Sequence, residues 1–482
     1  MSELKNLTPS GVWEIFEEIT RVPRPSKKEE KIRDYLVGFA KKHGLEYRTD
    51  KIGNVVILRP ASPSMKDKPV IVLQSHMDMV CEKNSDVKFD FDKDPIQAYV
   101  DGGWVKARGT TLGADDGIGM AAALALLIDK GAEVPAIEAL FTVDEETGLT
   151  GAFNLGKDML TGKYLINLDS EDEGEIFIGC AGGVDTLATF PAKMVPAPSG
   201  HAFFRLDIAG LSGGHSGDDI NKGLGNSNKL MTRFLWHGVR EFGLKLSAFD
   251  GGNLRNAIPR EAYAIFAVPA GEVKKMFAFY EKYTADVTGE FGITEPKIDI
   301  SIAEADPQKE VLDDKTARGL IDALQGVPNG VLAMSMAMPG LVETSTNLAS
   351  VKFKGGEIIV TTSQRSSVDS ARFDAAASIE SVFELGGGKV KHSDGYPGWK
   401  PDPTSHLLKV SVEQYKKLFN VDPIVRAIHA GLECGLFLEK YPHLEMISIG
   451  PTLRGVHSPD ERLEITTVDK FWKHLIAVLQ NI

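Results

Sequence analysis

The chain has 482 residues, enough for roughly three domains at about 150 residues each. Hydrophobic residues make up 43% and charged residues 25%, a soluble globular balance that excludes disordered and fibrous classes. Lys+Arg 54 against Asp+Glu 67 leaves a net charge of −13, so a basic nucleic-acid-binding face is not expected.

The opening stretch, MSELKNLTPSGVWEIFEEIT, has no basic region followed by an apolar one, so no signal peptide is expected. The longest uncharged apolar run, Gly117 to Ile128, is far short of the roughly 20 residues of a membrane span. Cys81, Cys180 and Cys434 lie far apart with no CxxC pair, which points to a reducing compartment and excludes a Cys-ligated zinc knuckle. A cytoplasmic protein with no membrane or nucleic-acid partner is the expectation.

Trp13 to Ile19 and Lys31 to His43 carry apolar residues at helical spacing. Asn54 to Leu58, Val70 to Leu73, Ile137 to Val143 and Tyr164 to Leu168 are short apolar, largely β-branched runs that predict strands. Gly117 to Lys130 predicts an Ala/Leu-rich helix, with Asp115 and Asp116 where a cap or first-turn carboxylate would sit. Such alternation predicts an α/β fold with a mostly parallel sheet flanked by helices. Near Asp185 the texture changes to half-alternating strands (His201 to Ala209, Ala262 to Val268, Leu348 to Phe353, Gly356 to Thr362) between helices such as Val273 to Tyr283. This α+β stretch ends at the Gly/Pro-rich HSDGYPGWKPDP, after which come a helix (His406 to Phe419), a strand (Met446 to Ile449) and a C-terminal helix. The division expected is residues 1–186 with 395–482 as one domain and residues 187–394 as an inserted second one.

The chemistry is carried by the polar residues at the strand ends. QSHMDMV places His76 and Asp78 at i, i+2, on one face of an extended segment. Asp115 and Asp116 precede a helix, one strand runs into Asp144, Glu145 and Glu146, and another runs into Asp169. In an open α/β sheet, ligands bind beyond the carboxyl ends of the strands. Carboxylates converging there repel one another, and a divalent cation is the usual remedy. Carboxylate and imidazole donors without thiolate suit zinc, manganese or cobalt. Each piece alone has a bland reading: a chance HxD, a solvated Glu-Glu loop, a helix cap. A surface explanation would have to be invoked four separate times.

HMDMV, GADDGIG, DEETG, NLDSE and RGVHSPDE together resemble the signature segments of the di-zinc exopeptidases related to aminoacylase and carboxypeptidase G, and the resemblance runs nearly end to end. It implies two divalent ions, zinc with cobalt or manganese able to substitute. His76 and Asp169 would bind one, Glu146 and His457 the other, and Asp115 would bridge them. Glu145 would be the general base for a water held between the metals, and Asp78 would orient His76. The order of Glu145 and Glu146 rests on the resemblance alone, although neighbours on an extended segment point opposite ways, as two roles require. The inserted domain would be a lid and dimerisation domain, giving a homodimer. There His215 (GGHSGDD) would polarise the scissile carbonyl, commonly from the partner subunit. Asn256 (GGNLRNAIP) would contact substrate, and Arg365 (SQRSS) would pair with a small peptide's free carboxylate. The activity implied is hydrolysis of unblocked dipeptides, Xaa-His such as β-alanyl-histidine included, with deacylase or aminopeptidase activity of the same group as the alternative. HAGLECG (His429 to Gly435) stands where many relatives have a Gly-Gly-Thr-type substrate loop, and Glu433 and Cys434 receive no role.

Three rival readings are weaker. Gly210-Leu-Ser212-Gly-Gly214 fits GxSxG, but the stretch after it is too rich in Gly and Asn to start the helix a nucleophile elbow needs. GGGKV (Gly386 to Val390) lacks the first Gly and the Ser/Thr of a P-loop. A non-catalytic relative would be expected to lack a ligand or the base, and here every position is filled.

Overall fold

The structure, a computed structural model, describes residues 4–482; residues 1–3 of the opening stretch lie outside it. The chain divides into two compact units, one of residues 1–179, 401–427 and 432–482, the other of residues 180–400 and 428–431.

The first unit is built on an eight-stranded sheet. Its four central strands run parallel, in the order Ile137–Thr142, Ile71–His76, Tyr164–Asn167, Glu445–Ser448. Antiparallel strands extend it on either side, Val55–Arg59 and Glu46–Thr49 beside Ile137–Thr142, and Glu175–Cys180 beside Glu445–Ser448. Every residue of Ile71–His76, Ile137–Thr142 and Tyr164–Asn167 is buried, as expected of parallel strands covered on both faces. The helix Ala114–Ile128 lies on the strand Ile71–His76, and its run Ala121, Ala122, Ala123 and Leu124 is fully buried. Small side chains there let the helix approach the sheet closely. The helix Ser10–Thr20 covers it in turn with Trp13, Phe16 and Ile19.

The second unit carries a nine-stranded antiparallel sheet, ordered Asp299–Glu304, His201–Ala209, Ala262–Pro269, Lys245–Gly251, Val342–Lys354, Glu357–Ser366, Gly182–Pro191, Lys389–His392, with Gly330–Met334 paired to Val342–Lys354. Long pairings hold each side, but the middle is narrow. Lys245–Gly251 and Val342–Lys354 share only the pairs Asp250↔Lys352 and Gly251↔Val351, reinforced by a 2.6 Å ion pair from Lys352 Nζ to Asp250 Oδ1. The helix Ser227–Glu241 starts at Asn226, whose side chain accepts from the Lys229 N–H at 3.2 Å. Its buried positions Leu230, Met231, Phe234, Leu235 and Gly238 recur at helical spacing and meet Phe204, Phe266 and Tyr283 in one core.

Two rival motifs are resolved by local structure. No helix starts at Ser212: Gly214–His215 pair with Ala257–Ile258, and the next helix begins at Ser227. Gly386 to Gly388 form the turn between the helix Asp369–Leu385 and the strand Lys389–His392. Among the described residues no helix is long and apolar enough to cross a membrane.

The C-terminal helix Ile465–Asn481 packs on His406–Phe419 through a buried histidine. His474 Nε2 lies 3.0 Å from the Ser411 carbonyl oxygen and 3.1 Å from its hydroxyl, with the Tyr415 ring edge-on. Burial pushes its pKa down to about 4. The unfolded chain therefore takes up a proton that the folded chain refuses. The stabilisation is complete above about pH 6.5 and is lost as the pH falls towards 4, about 3 kcal/mol in full. Urea titrations at pH 7 and pH 4.5 should show wild type losing more stability on acidification than His474→Gln.

Candidate functional site

Three central strands of the first unit deliver side chains to one end of the sheet. His76 is the last residue of its strand, Glu145 and Glu146 come after Ile137–Thr142, and Asp169 after Tyr164–Asn167. Asp115 arrives from the start of the helix Ala114–Ile128, and His457 from the loop between Leu453–Arg454 and Arg462–Glu464. His76 Nε2 stands 2.9 Å from Asp115 Oδ1 and 3.5 Å from Asp169 Oδ1. His457 Nε2 stands 3.1 Å from Asp115 Oδ2 and 3.0 Å from Glu146 Oε2. Two triads result, His76–Asp115–Asp169 and Asp115–Glu146–His457, each with its donor atoms within 4.8 Å of one another and with Asp115 common to both.

The donor set fits divalent cations. Both imidazoles turn Nε2 towards carboxylate oxygens, no thiolate takes part, and the buried Glu146 Oε1 has no hydrogen-bond partner. The electrostatics carry the same imprint. His457 is pushed up to about 11 by its contacts with Asp115 and then Glu146. Burial would lower His76, but Asp169, Asp115 and Asp78 outweigh it and raise it well above the usual imidazole range. Burial drives Asp169 and Glu145 well above the usual carboxylate range, against the opposing charge of His76. Neighbouring carboxylates add to both: Asp116 and Asp115 for Asp169, and Glu433, Glu146 and Asp115 for Glu145.

Asp78 is fully buried behind His76, with Oδ1 3.4 Å from His76 Nδ1. Its Oδ1 also accepts the Glu145 N–H at 3.0 Å, and its Oδ2 accepts the Glu146 N–H at 3.2 Å and the Ser26 hydroxyl at 2.8 Å. One carboxylate thus ties the His76 segment to the Glu145–Glu146 segment. Those glutamates are not extended, contrary to expectation: Glu145–Gly148 form a short helical turn. The cause is Asp144, which sits at φ +51° with its carboxylate accepting from the hydroxyls of Thr147 and Thr150. His457 is likewise in the left-handed region, at φ +61°. Backbone of this kind in a non-glycine residue persists only where its surroundings hold it. The cap position also differs from a simple reading. Asp116 Oδ1 accepts the Gly119 N–H at 3.1 Å, which leaves Asp115 to face the triads.

In the second unit, the Arg365 side chain is buried, its Nη1 donating to the Tyr396 hydroxyl at 3.1 Å and its Nη2 lying 3.5 Å from His215 Nε2. Its Nε is buried with no hydrogen-bond partner, and no carboxylate among the described residues pairs with it. His429 lies near both, with Nε2 2.7 Å from the Ser345 hydroxyl, and burial first, then Arg365, push its pKa down to about 3. Burial and Arg365 also lower His215. Asn256 is exposed beside this group, its carbonyl accepting the Ser216 N–H at 2.8 Å. A guanidinium flanked by neutral imidazoles and a phenol is suited to an anion. Neither Tyr396 nor His429 was given a role from sequence: Tyr396 lies in a Gly/Pro-rich stretch that reads as a hinge, and His429 opens HAGLECG, a segment noted without assigned contacts.

Sequence also left Glu433 without a role. It is fully buried in the first unit, and its Oε2 accepts from Gln74 Nε2 at 2.6 Å and Thr142 Oγ1 at 2.8 Å. Gln74 Oε1 in turn accepts from Asn167 Nδ2 at 2.6 Å, and Asn167 Oδ1 accepts from the Ser448 hydroxyl. A polar layer thus crosses all four parallel strands just below the triads.

Comparison with known proteins points the same way. The model of Peptidase family M20/M25/M40 matches residues 72–481. The chain is 44% identical over 482 residues to the cytosol non-specific dipeptidase of Escherichia coli (strain K12), covering 100% of this chain and 99% of that one. The crystal structure of aminoacylhistidine dipeptidase from Vibrio alginolyticus superposes with a TM-score of 0.96 at 44% identity, over 100% of this chain and 98% of that one. An aminopeptidase from Bacillus cereus shares the fold at a TM-score of 0.58 and 16% identity, over 98% of this chain and 99% of that one. A family match over most of the length, together with these full-length relatives, makes this chain a member of peptidase family M20/M25/M40.

Proposed function

We propose that this chain is a metal-dependent dipeptidase that hydrolyses unblocked dipeptides, Xaa-His among them. The observation that carries this is the pair of ligand triads sharing Asp115, in a chain of full-length similarity to two proteins named as dipeptidases. His76, Asp169 and Asp115 would hold one divalent ion, and Glu146, His457 and Asp115 the other. Bound there, two such ions, zinc in this reading with cobalt or manganese as substitutes, lower the pKa of a water molecule from 15.7 towards about 7 and polarise a carbonyl.

The remaining work falls to the chain itself. Glu145 groups with His76 and Glu146 but stands outside the two triads that share Asp115, and its half-buried carboxylate is suited to accept a proton and return it to the leaving amine. Asp78 faces His76 Nδ1 and fixes which way the ring turns Nε2. In the second unit, Arg365 would pair with the substrate's free carboxylate, with Asn256 contacting substrate and His215 meeting the scissile carbonyl. His215 and Arg365 stand together in this unit, Nε2 3.5 Å from Nη2, so both would meet the same part of the substrate. A role for this unit as lid and dimer interface, and a cytoplasmic location like the one in the E. coli relative's name, complete the reading; sedimentation tests the dimer.

Hydrolysis of β-alanyl-histidine, α-dipeptides, tripeptides and acylated substrates, before and after chelation and metal return, tests the activity. Unblocked dipeptides should be cleaved, with activity lost on chelation and restored by zinc, cobalt or manganese. Preference for acylated substrates would instead favour a deacylase. Glu145→Gln should lower kcat about 10²- to 10⁴-fold while both metals remain bound. Arg365→Ala should lower kcat/KM on dipeptides by about a hundredfold, and an unchanged value would remove the carboxylate clamp.

A further inference from the structure

The residues read as ligands reach the centre on separate segments, and nothing in the ligand set itself fixes the spacing between the loops. Two buried residues outside that set do join them. Arg24 is 2% exposed, and its Nη1 donates to the backbone carbonyls of Met77, at 3.2 Å, and of Asp78, while Nη2 donates to the carbonyl of Gly113. Glu461 is also 2% exposed. Its Oε2 accepts the N–H groups of Leu112 at 2.7 Å and Gly113 at 3.0 Å, and its Oε1 those of Ala114 at 2.7 Å and Asp115 at 3.4 Å. The segment that presents Asp115 is therefore gripped by its carbonyl from one side and by four N–H groups from the other.

Each gripping residue has its other end on a second ligand segment. Arg24 holds the two carbonyls that come directly after His76, and Glu461 lies four positions after His457. Among the described residues Arg24 makes no ion pair, although a buried guanidinium is costly to desolvate. The charges of Asp78, Glu461 and Asp116 offset part of that cost, and its N–H groups go to three carbonyls on two ligand-bearing loops, which ties those loops together. The glycines of GADDGIG agree. Gly113 sits at φ +68°, and a Cβ there would stand 2.7 Å from Arg24 Nη2; a Cβ at Gly117 would stand 2.7 Å from the same atom. Two glycines of a motif otherwise read only for its aspartates are thus the surface on which the guanidinium lies.

We propose that Arg24 and Glu461 are positioning residues for the metal centre: Arg24 sets the His76 segment against the Asp115 segment, and Glu461 sets the Asp115 segment against the His457 segment. This rests on the di-metal reading of the two triads. The two have different consequences. Arg24 governs the triad of His76, Asp115 and Asp169, and Glu461 the triad of Asp115, Glu146 and His457.

The test measures metal per chain for full-length protein titrated against a competing chelator, with the visible spectrum of the Co2+-loaded protein, kcat and KM, and the Tm of the chelated form. Wild type should take up two ions. Glu461→Gln sets an amide NH2 against two backbone N–H groups, and Arg24→Lys cannot span both loops. Each should weaken one ion about ten- to a hundredfold, Glu461→Gln the one at Glu146 and His457, Arg24→Lys the one at His76 and Asp169. The cobalt spectrum should shift and kcat should fall with KM within about twofold. Gly117→Ala touches no ligand and favours a helix, yet it should loosen metal by crowding Arg24, so the proposal stays testable if the other variants fold poorly. If wild type binds two ions and the variants that fold bind them with unchanged affinity and spectrum, changing only the Tm of the chelated form, the positioning role is wrong and the di-metal reading stands. If wild type does not take up two ions, the di-metal reading fails and the proposal with it.

Discussion

Carboxylates withdrawn from water repel one another, and the organisation of the first unit stems from gathering them at one end of its sheet. Asp115, Glu146, Asp169 and Glu145 converge with only two imidazoles between them. An assembly of that charge needs both compensation and rigid support, since a buried charge left loose would draw in water or a proton. The four parallel strands meet the second requirement. Their fully buried residues place the ends of neighbouring strands in fixed register, so that His76 pairs across to Thr142 and Gln74 to Asn167.

Below and behind the triads, several polar groups bond to neighbours on the segments that carry the candidate ligands. Asp78 accepts the N–H groups of Glu145 and Glu146, and the layer from Glu433 through Gln74 and Asn167 to Ser448 runs across four strands. Each hydrogen bond in such a buried layer holds its strands to one arrangement. Some buried atoms keep no partner, among them Glu146 Oε1, His76 Nδ1 and Glu433 Oε1 in the first unit and Arg365 Nε in the second. One unit collects negative charge around imidazoles, and the other presents a buried guanidinium beside neutral rings.

Much of the architecture was legible in the chain. Short, bounded apolar runs such as Ile137 to Val143 and Tyr164 to Leu168 have the length of buried strands, and the longer Ala/Leu run after Asp116 has that of a covered helix. The change to alternating strands after Asp185 is equally local in origin, since one face of those strands meets helices and the other is partly exposed. His76, Asp115, Glu146 and Asp169 were legible because each follows an apolar strand or heads a helix, positions that topology sends to one edge; His457, in a loop, was legible only through the resemblance of RGVHSPDE. Glu145 and Glu146 show the limit. Their helical turn depends on Asp144 in a left-handed conformation, held by hydroxyls of Thr147 and Thr150, and no periodicity announces it.

What the sequence determined by itself is therefore the set of elements and the polar residues at their ends, because periodicity and strand termini are properties of neighbours along the chain. Which atoms meet was decided only by tertiary structure. Glu433 to Gln74, Glu461 to Leu112–Asp115, Arg24 to Gly113 and His215 to Arg365 are contacts across 89 to 359 positions. Contacts at that separation leave no local pattern: each is fixed by the packing of whole elements, and the side chains only report where that packing has brought them.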